Sequence, residues 1–361
     1  MRRTPALIVG GGPAGASLAL RLARAGAPHL LLERSRETGD ALCGGFLSWR
    51  TLAMLDRLGI AADALNPQPV THVRLFAGGR MAEAALPQPG RGVSRRHLDT
   101  LLLHAAEQAG AGVERGITVR AIDGLTARLG DGAELAADAL FLASGKHDVR
   151  GAMRPEAARG GDPTLGLRVR LEAAPAMQRS VGAAVELHLF DRGYAGLVVQ
   201  EDGTGNLCLA VHRSRLTEAG GADGLLGAWA MESAPFAERL AWRMAGVPDA
   251  VANVPYGWRA TRTGPGLFRL GDQAAVIPSL AGEGMAIAIA SAEAAASAYT
   301  GGGPAAAIRH QQDFARRAHR PVGVARTAWQ VAERPAAARI GVTLARGFPA
   351  LLPLIARLTR I

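Results

Sequence analysis

The chain has 361 residues, 48% of them apolar, which is enough for two joined domains around a large buried core. Its formal charge of +10 is carried by arginine, with Lys146 as the single lysine; the arginines are scattered, without a basic block or interleaved aromatics, so the charge argues against nucleic acid as a partner. Cys43 and Cys208 stand far apart in no ligand spacing, which argues against a disulfide framework or a zinc site, and no run reaches the roughly 20 apolar residues of a membrane span.

Met1-Arg2-Arg3 passes straight into an apolar run, Ala6 to Val9, read as a buried parallel strand. A glycine loop, residues 10–15, follows and leads into a helical pattern from Ala16 to Ala25, closed by Gly26. His29 to Glu33 is the second strand. After a polar loop from Arg34 to Leu47, a helix is expected over Trp49–Leu58, stopped by Gly59. Val70–Leu86 reads as strands broken at Gly78-Gly79, and Ser94 can cap a helix from Arg95 to Ala109. Further strands are expected near Val113, over Ile117–Leu129 and over Asp138–Ala143.

From Leu165 to Val211 the periodicity becomes two, with Leu165, Leu167, Val169 and Leu171, then Val185, Leu187 and Leu189, then Leu207, Leu209 and Val211. This predicts an antiparallel sheet with one packed face and one free face. Two helical segments follow near Leu225–Met231 and Phe236–Met244. Leu267–Leu270 is again a short strand and Gly284–Tyr299 a helix. The remainder reads as helical, kinked at Pro349 and Pro353. The late strand near residue 267 implies that the first domain is completed after an insertion. The expected division is residues 1–69, 93–162 and 263–300 for the first domain, 70–92 and 163–262 for a β-rich second domain, and 301–361 for C-terminal helices.

Two loops carry chemistry. In Gly10-x-Gly12-Pro13-Ala14-Gly15, the first glycine allows the sharp turn, the second lets backbone approach a pyrophosphate, and the third lets helix and strand pack closely. Glu33, followed by Arg34, sits where an acid can bind adenosine ribose hydroxyls. The second loop, Gly271-Asp272 through Pro278 to Gly282-Glu283-Gly284-Met285, places an acid after a strand and amides at a helix start. Asp272 can hold a ribityl chain, and the amides can face an anionic flavin ring. Together the loops select FAD rather than a nicotinamide dinucleotide.

With these motifs the chain resembles the flavoprotein superfamily that includes para-hydroxybenzoate hydroxylase and the geranylgeranyl reductases, over residues 1–300. The fold expected is α/β: a Rossmann-like FAD-binding domain with an inserted β-sheet-rich substrate domain and a C-terminal helical segment. The resemblance implies an FAD contact by Arg95, in Ser94-Arg95-Arg96-x-Leu98-Asp99, and by the loop Cys43-Gly44-Gly45 close to the isoalloxazine. Gly282-Glu283-Gly284 is similar to the geranylgeranyl-reductase branch. Where hydroxylases carry Asp-Gly after the Phe141–Ala143 strand, this chain has Ser144-Gly145-Lys146-His147. Of the tyrosine–tryptophan pattern of prenyl reductases only Tyr194 remains, and the Trp-x-Trp of flavin halogenases is absent.

Cys43 is a candidate for touching flavin or substrate. Glu186 and His188 share one face of a strand and are candidate acid/base groups if that face roofs the flavin; if it faces solvent they have no such role. The reading ranked first is oxygenation of a small aromatic, polyketide-like or apolar compound with O₂ through a flavin C4a-hydroperoxide, the electrons coming from NAD(P)H or a separate reductase partner. The alternatives are reduction of C=C bonds in a lipid or polyketide chain, and a binding protein with structural FAD. A cytoplasmic location is expected. Residues 336–361 mix aliphatics with arginine and no acid, which suits an anionic membrane surface and a helix packed on the body or on a partner equally.

Overall fold

The computed structural model describes residues 2–361. The apolar run at the start becomes the strand Arg2–Val9, buried over its second half. It lies between Leu30–Glu33 and Glu134–Leu142, parallel to both, with Ile8 opposite Leu31 and Phe141. Gly112–Arg115 extends the sheet beyond Leu30–Glu33, and the hairpin Val119–Asp123/Thr126–Leu129 forms the other edge. Leu267–Arg269 pairs with the end of Glu134–Leu142. The chain therefore leaves this sheet and returns to it, as a late parallel strand requires.

The helices Pro13–Arg24, Arg95–Gln108 and Gly284–Gly302 pack on this sheet in one apolar core. Alanine-rich faces let Gly284–Gly302 approach Pro13–Arg24 closely, which sets the two glycine loops side by side.

The second sheet has eight strands in the order Asp249–Val254, Thr164–Leu171, Gly205–His212, Gly193–Val199, Ala184–Phe190, Pro69–Ala77, Arg80–Gly92 and Phe46–Leu47. It is not wholly antiparallel, because Ala184–Phe190 runs parallel to Pro69–Ala77. Nor is either face free. Leu167, Val169, Leu197, Leu207 and Leu209 pack on the helices Pro175–Val181, Ala222–Glu232 and Ala234–Leu240 through Met177, Trp229 and Phe236. The opposite face carries Leu187, Leu189, Tyr194 and Ala210 and packs on C-terminal residues Trp329, Ala338 and Val342. Phe46–Leu47 enters this sheet from within the stretch expected to serve the cofactor domain.

The C-terminal segment is three helices, Ala307–Ala332, Pro335–Gly347 and Leu351–Leu358. The break expected at Pro349 falls between Gly347 and Leu351, where the axes bend by 113°. Pro353 makes no kink: it lies in the first turn of Leu351–Leu358, where its missing N–H has no helical partner to lose.

Candidate cofactor and substrate site

At the first loop the sequence logic becomes distances. Gly10 has φ +107°, and a Cβ there would lie 2.6 Å from the Ala143 carbonyl oxygen; one on Gly15 would lie 1.8 Å from the Gly10 carbonyl oxygen. Pro13 occupies the first turn of Pro13–Arg24, and Gly12 caps it with no side chain, leaving the leading amides unpaired by side chains. Ala14 packs toward Gly271 of the second loop. Glu33 leans over the turn, accepting from the Gly11 amide at 2.7 Å and the Ser35 amide at 2.8 Å.

Arg95 donates to Asp99 at 2.9 and 2.6 Å, and its Nη2 is 3.2 Å from where a Gly12 Cβ would sit. Burial opposes the charge on Arg95, but Asp99 outweighs it and raises the pKa, so a cation stays above the glycine loop. Ser94 caps that helix by accepting from the His97 amide at 3.1 Å. Arg34 is exposed, with Nη2 3.0 Å from His147 Nε2.

The second loop is tied to the helix behind it: the Gly271 amide donates to Ser291 Oγ at 2.9 Å. The Asp272 carboxylate lies 3.7 Å from Lys146 Nζ. Gln273 Nε2 donates to the Gly145 and His147 carbonyls at 2.9 and 3.0 Å, which brings the 144–148 loop onto the Gly-Asp turn. After Pro278 the chain makes a short turn, Ser279–Ala281, and reverses at Gly282 in the left-handed region, φ +67°. Glu283 then caps Gly284–Gly302 without a side-chain bond, so the amides of Gly284 and Met285 head the helix dipole.

The Glu283 side chain itself corrects its expected place among the cofactor contacts. It is fully buried and directed into the protein, with Oε1 2.7 Å from Arg360 Nη1. Neither Glu283 carboxyl oxygen makes a well-aligned hydrogen bond, and Arg360 Nη1 donates to the Ala281 carbonyl at 2.8 Å. Burial therefore prevails over the arginine and lifts the Glu283 carboxyl to about 7. Arg360 also lies over the Trp49 ring, 4.6 Å from its centroid.

These residues fit FAD. A plain strand–turn–helix needs Gly10 and Gly15 for packing. It does not need uncapped amides at two helix starts, a partly buried arginine over Gly12, or open space at Gly44, Gly145 and Gly284, where an added Cβ meets nothing within 4 Å. The loops can take the pyrophosphate at Gly12–Gly15, the ribose at Glu33, the ribityl chain at Asp272 and the ring edge at Gly282–Met285.

The Cys43 loop is held against the face of the second sheet that looks toward these loops. Asp40 anchors it to Arg168 at 3.1 Å and Arg170 at 2.8 Å. The Cys43 carbonyl accepts from Asn206 Nδ2 and from the Cys208 thiol, both at 2.9 Å. Gly45, at φ +74°, could carry no Cβ without meeting Asn206 Nδ2 at 2.9 Å. Burial, with Cys43 nearby, pushes the Cys208 thiol up to about 12.

Beside this loop are groups the sequence reading did not assign. Tyr194 hydrogen-bonds to Ser279 Oγ, and Tyr256 Oη reaches the same oxygen at 2.5 Å. Burial raises both phenols, Tyr256 to about 12, so both keep their protons at neutral pH. The sequence marked Tyr194 only as the remnant of a prenyl-reductase pattern and gave Tyr256 and Ser279 no role.

Glu186 and His188 do share a face, but it is neither the flavin side nor solvent. Their cross-strand partners Leu197 and Ala195 belong to the core under the helix layer, whereas Tyr194 and Cys208 project the opposite way. Glu186 receives Arg239 at 3.1 and 3.0 Å and Arg74 at 3.3 Å. His188 lies flat on Phe76, 4.5 Å between centroids. Burial lowers the His188 pKa and keeps the imidazole neutral. Burial would raise Glu186, but His188 and Arg239 hold it down at about 2. Both residues are withdrawn as acid/base candidates: they form a buried ionic knot behind the sheet.

Residues 3–150 match the family model described as FAD binding domain. The menaquinone reductase of Mycobacterium tuberculosis is 30% identical over 150 residues, a stretch that spans 38% of this chain and 37% of that protein. That of Mycolicibacterium smegmatis is 26% identical over 83% of this chain and 77% of its own length. The 6-methylpretetramide 4-monooxygenase of Streptomyces rimosus is 46% identical over 61 residues, 17% of this chain and 15% of that protein. The solved structure of a geranylgeranyl bacteriochlorophyll reductase-like protein from Thermoplasma acidophilum has a similar fold. Its TM-score is 0.78 at 19% identity, covering 99% of this chain and 97% of that one.

Proposed function

We propose that this chain, which carries an FAD binding domain over residues 3–150 and has a fold similar to a geranylgeranyl bacteriochlorophyll reductase-like protein, reduces a carbon–carbon double bond in an apolar, polyprenyl-type chain. The observation that carries this reading is the hydroxyl cluster Tyr194–Ser279–Tyr256, which ties the Gly282 loop to the edge of the packed apolar cluster of Leu187, Leu189, Trp329 and Val342. Apolar surroundings suit a hydrocarbon substrate, and protonated phenols suit delivery of a proton to the carbon that does not receive the hydride. Menaquinone, named in the relative that matches along most of this chain, is a quinone with such a chain, and this adds support.

When bound and reduced, FAD supplies a hydride equivalent. The amides of Gly284 and Met285 would stabilise negative charge at its ring edge. Arg95 and the Gly12–Gly15 amides would hold its pyrophosphate. Tyr194 would give up a proton and regain it through Ser279 and Tyr256. The Cys43 loop would close one side of the ring and exclude water. NAD(P)H or a reductase partner would restore the reduced state.

The test is single-turnover mixing of the anaerobically reduced FAD-loaded protein with a polyprenyl quinone in detergent. The product, analysed after air reoxidation of any quinol, should retain two added hydrogens. Recovery of unchanged chains, with labelled oxygen from O₂ in a product instead, would replace this reading by oxygenation. That second reading is favoured by the match to the Streptomyces rimosus monooxygenase, confined to 61 residues.

A further inference from the structure

The last two helices reverse the usual amphipathic arrangement. Pro335–Gly347 turns its small residues Ala338 and Ala345, with Val342, toward the second sheet. Its large residues point outward, Ile340 at 60% exposure and Leu344 at 49%, and Phe348 at the bend is 65% exposed. Leu351–Leu358 buries none of its own residues and exposes Leu351, Leu354 and Ile355. Other exposed apolar side chains, such as Met231 and Val247, lie in other parts of the chain.

The charge carried by this stretch has one sign. Residues 334–361 contain five arginines and no aspartate, glutamate or lysine. Arg334, Arg339, Arg346 and Arg357 are exposed, whereas Arg360 turns inward to Glu283. A helix face meant for water carries mixed polar groups, and one meant for the core has its large residues inside. Large aliphatics outside, with guanidinium groups as the charges of the same stretch, complement a surface that is apolar beneath and anionic at its rim. Leu, Ile and Phe enter the acyl boundary while arginines reach up to lipid phosphates. Among the described residues no single helix is long and apolar enough to cross a bilayer; Pro335–Gly347 and Leu351–Leu358 reach that length and apolarity only when taken together, across a bend of 113°.

We infer that residues 335–358 dock this protein on anionic lipid bilayers. The inference stands apart from the reaction, since it uses only the outer face of these helices. Their inner face packs on the apolar cluster that holds Tyr194, and beyond the second helix Arg360 reaches the Ala281 carbonyl and Glu283. A docked bilayer therefore lies next to the site.

The test is flotation of the purified FAD-loaded protein with vesicles of phosphatidylcholine, with and without phosphatidylglycerol. Expected is capture by the mixed vesicles, at least about tenfold above phosphatidylcholine alone, weakening as salt rises. The double variant Leu344→Glu/Leu354→Glu should lose capture while keeping its flavin content and melting temperature. Should that variant fold poorly, Arg346→Gln and Arg357→Gln should each weaken binding about fivefold. No capture of the wild-type protein by anionic vesicles at low salt overturns the inference. So does equal capture of the glutamate variant, or a stable dimer in sedimentation that these substitutions dissociate, since a second copy of the chain would then cover the face.

Discussion

Replacing Glu283 with Gln should make the protein more resistant to alkaline pH, against the usual expectation for an acid lying near an arginine. The folded-state carboxyl titrates at about 7 and the free side chain near 4.5. The folded protein therefore keeps a proton that the unfolded chain releases between those values. Stability falls as pH rises through that window and levels off above it. The difference corresponds to about 3 kcal/mol, with no discount for solvent because the group is fully buried. Glutamine fills the same volume without titrating, so its stability should be flat where the wild type declines. For a chain of this size, about 3 kcal/mol is roughly 4 °C in Tm. Thermal unfolding of both FAD-saturated proteins from about pH 5 to 8 measures it. The curves should meet at the acid end and diverge by that amount at the alkaline end. Curves that run parallel throughout would mean that Arg360 holds the carboxylate ionised, and the argument from misaligned geometry would be wrong.

Gly15→Ala should abolish flavin retention, because its Cβ would sit 1.8 Å from the Gly10 carbonyl oxygen. Gly12→Ala meets only the side-chain end of Arg95, at 3.2 Å, and should retain measurable binding by flavin fluorescence. Arg239→Met should cost up to about 3–5 kcal/mol in urea unfolding by leaving Glu186 with Arg74, at 3.3 Å, as its remaining arginine, yet leave turnover per bound flavin unchanged. The wild type should also lose stability as pH falls below the ordinary glutamate value toward about 2, where Glu186 protonates, and Glu186→Gln should lack that component. Tyr194→Phe should lower the rate of substrate-dependent flavin reoxidation on the order of 100-fold with FAD affinity intact, the size of effect expected for a positioned acid.

Both cofactor loops were legible in the sequence because glycine requirements are backbone requirements. A Cβ at Gly10 or Gly15 collides whatever surrounds the loop, so the motif carries its own geometry. The pair Glu186 and His188 shows the limit of that kind of reading. Alternation assigns both to one face, and they share it. Which face it is depends on cross-strand register and on the helices Ala222–Glu232 and Ala234–Leu240, which arrive later in the chain and cover it with Trp229 and Phe236. Tyr256 and Ser279 left no pattern at all: each sits in irregular backbone and becomes meaningful only when the sheet brings Tyr194 to the same oxygen.

The terminal helices pose the opposite problem, since their composition was informative and their orientation was not. The pattern rule sends the larger side chains inward, which would bury Ile340 and Leu344 and expose Ala338 and Ala345. The second sheet imposes the reverse, because the space over Ala77 and Ala82 admits only small partners at close approach. The outward aliphatics are thus a consequence of tight packing beneath, and their tolerance at the surface calls for a second, apolar phase against them. Substituting Ala338 by Leu would separate the two causes. If close packing dictates the orientation, that single added bulk should lift the helix from the sheet, costing about 1–3 kcal/mol, while leaving the outer face as apolar as before.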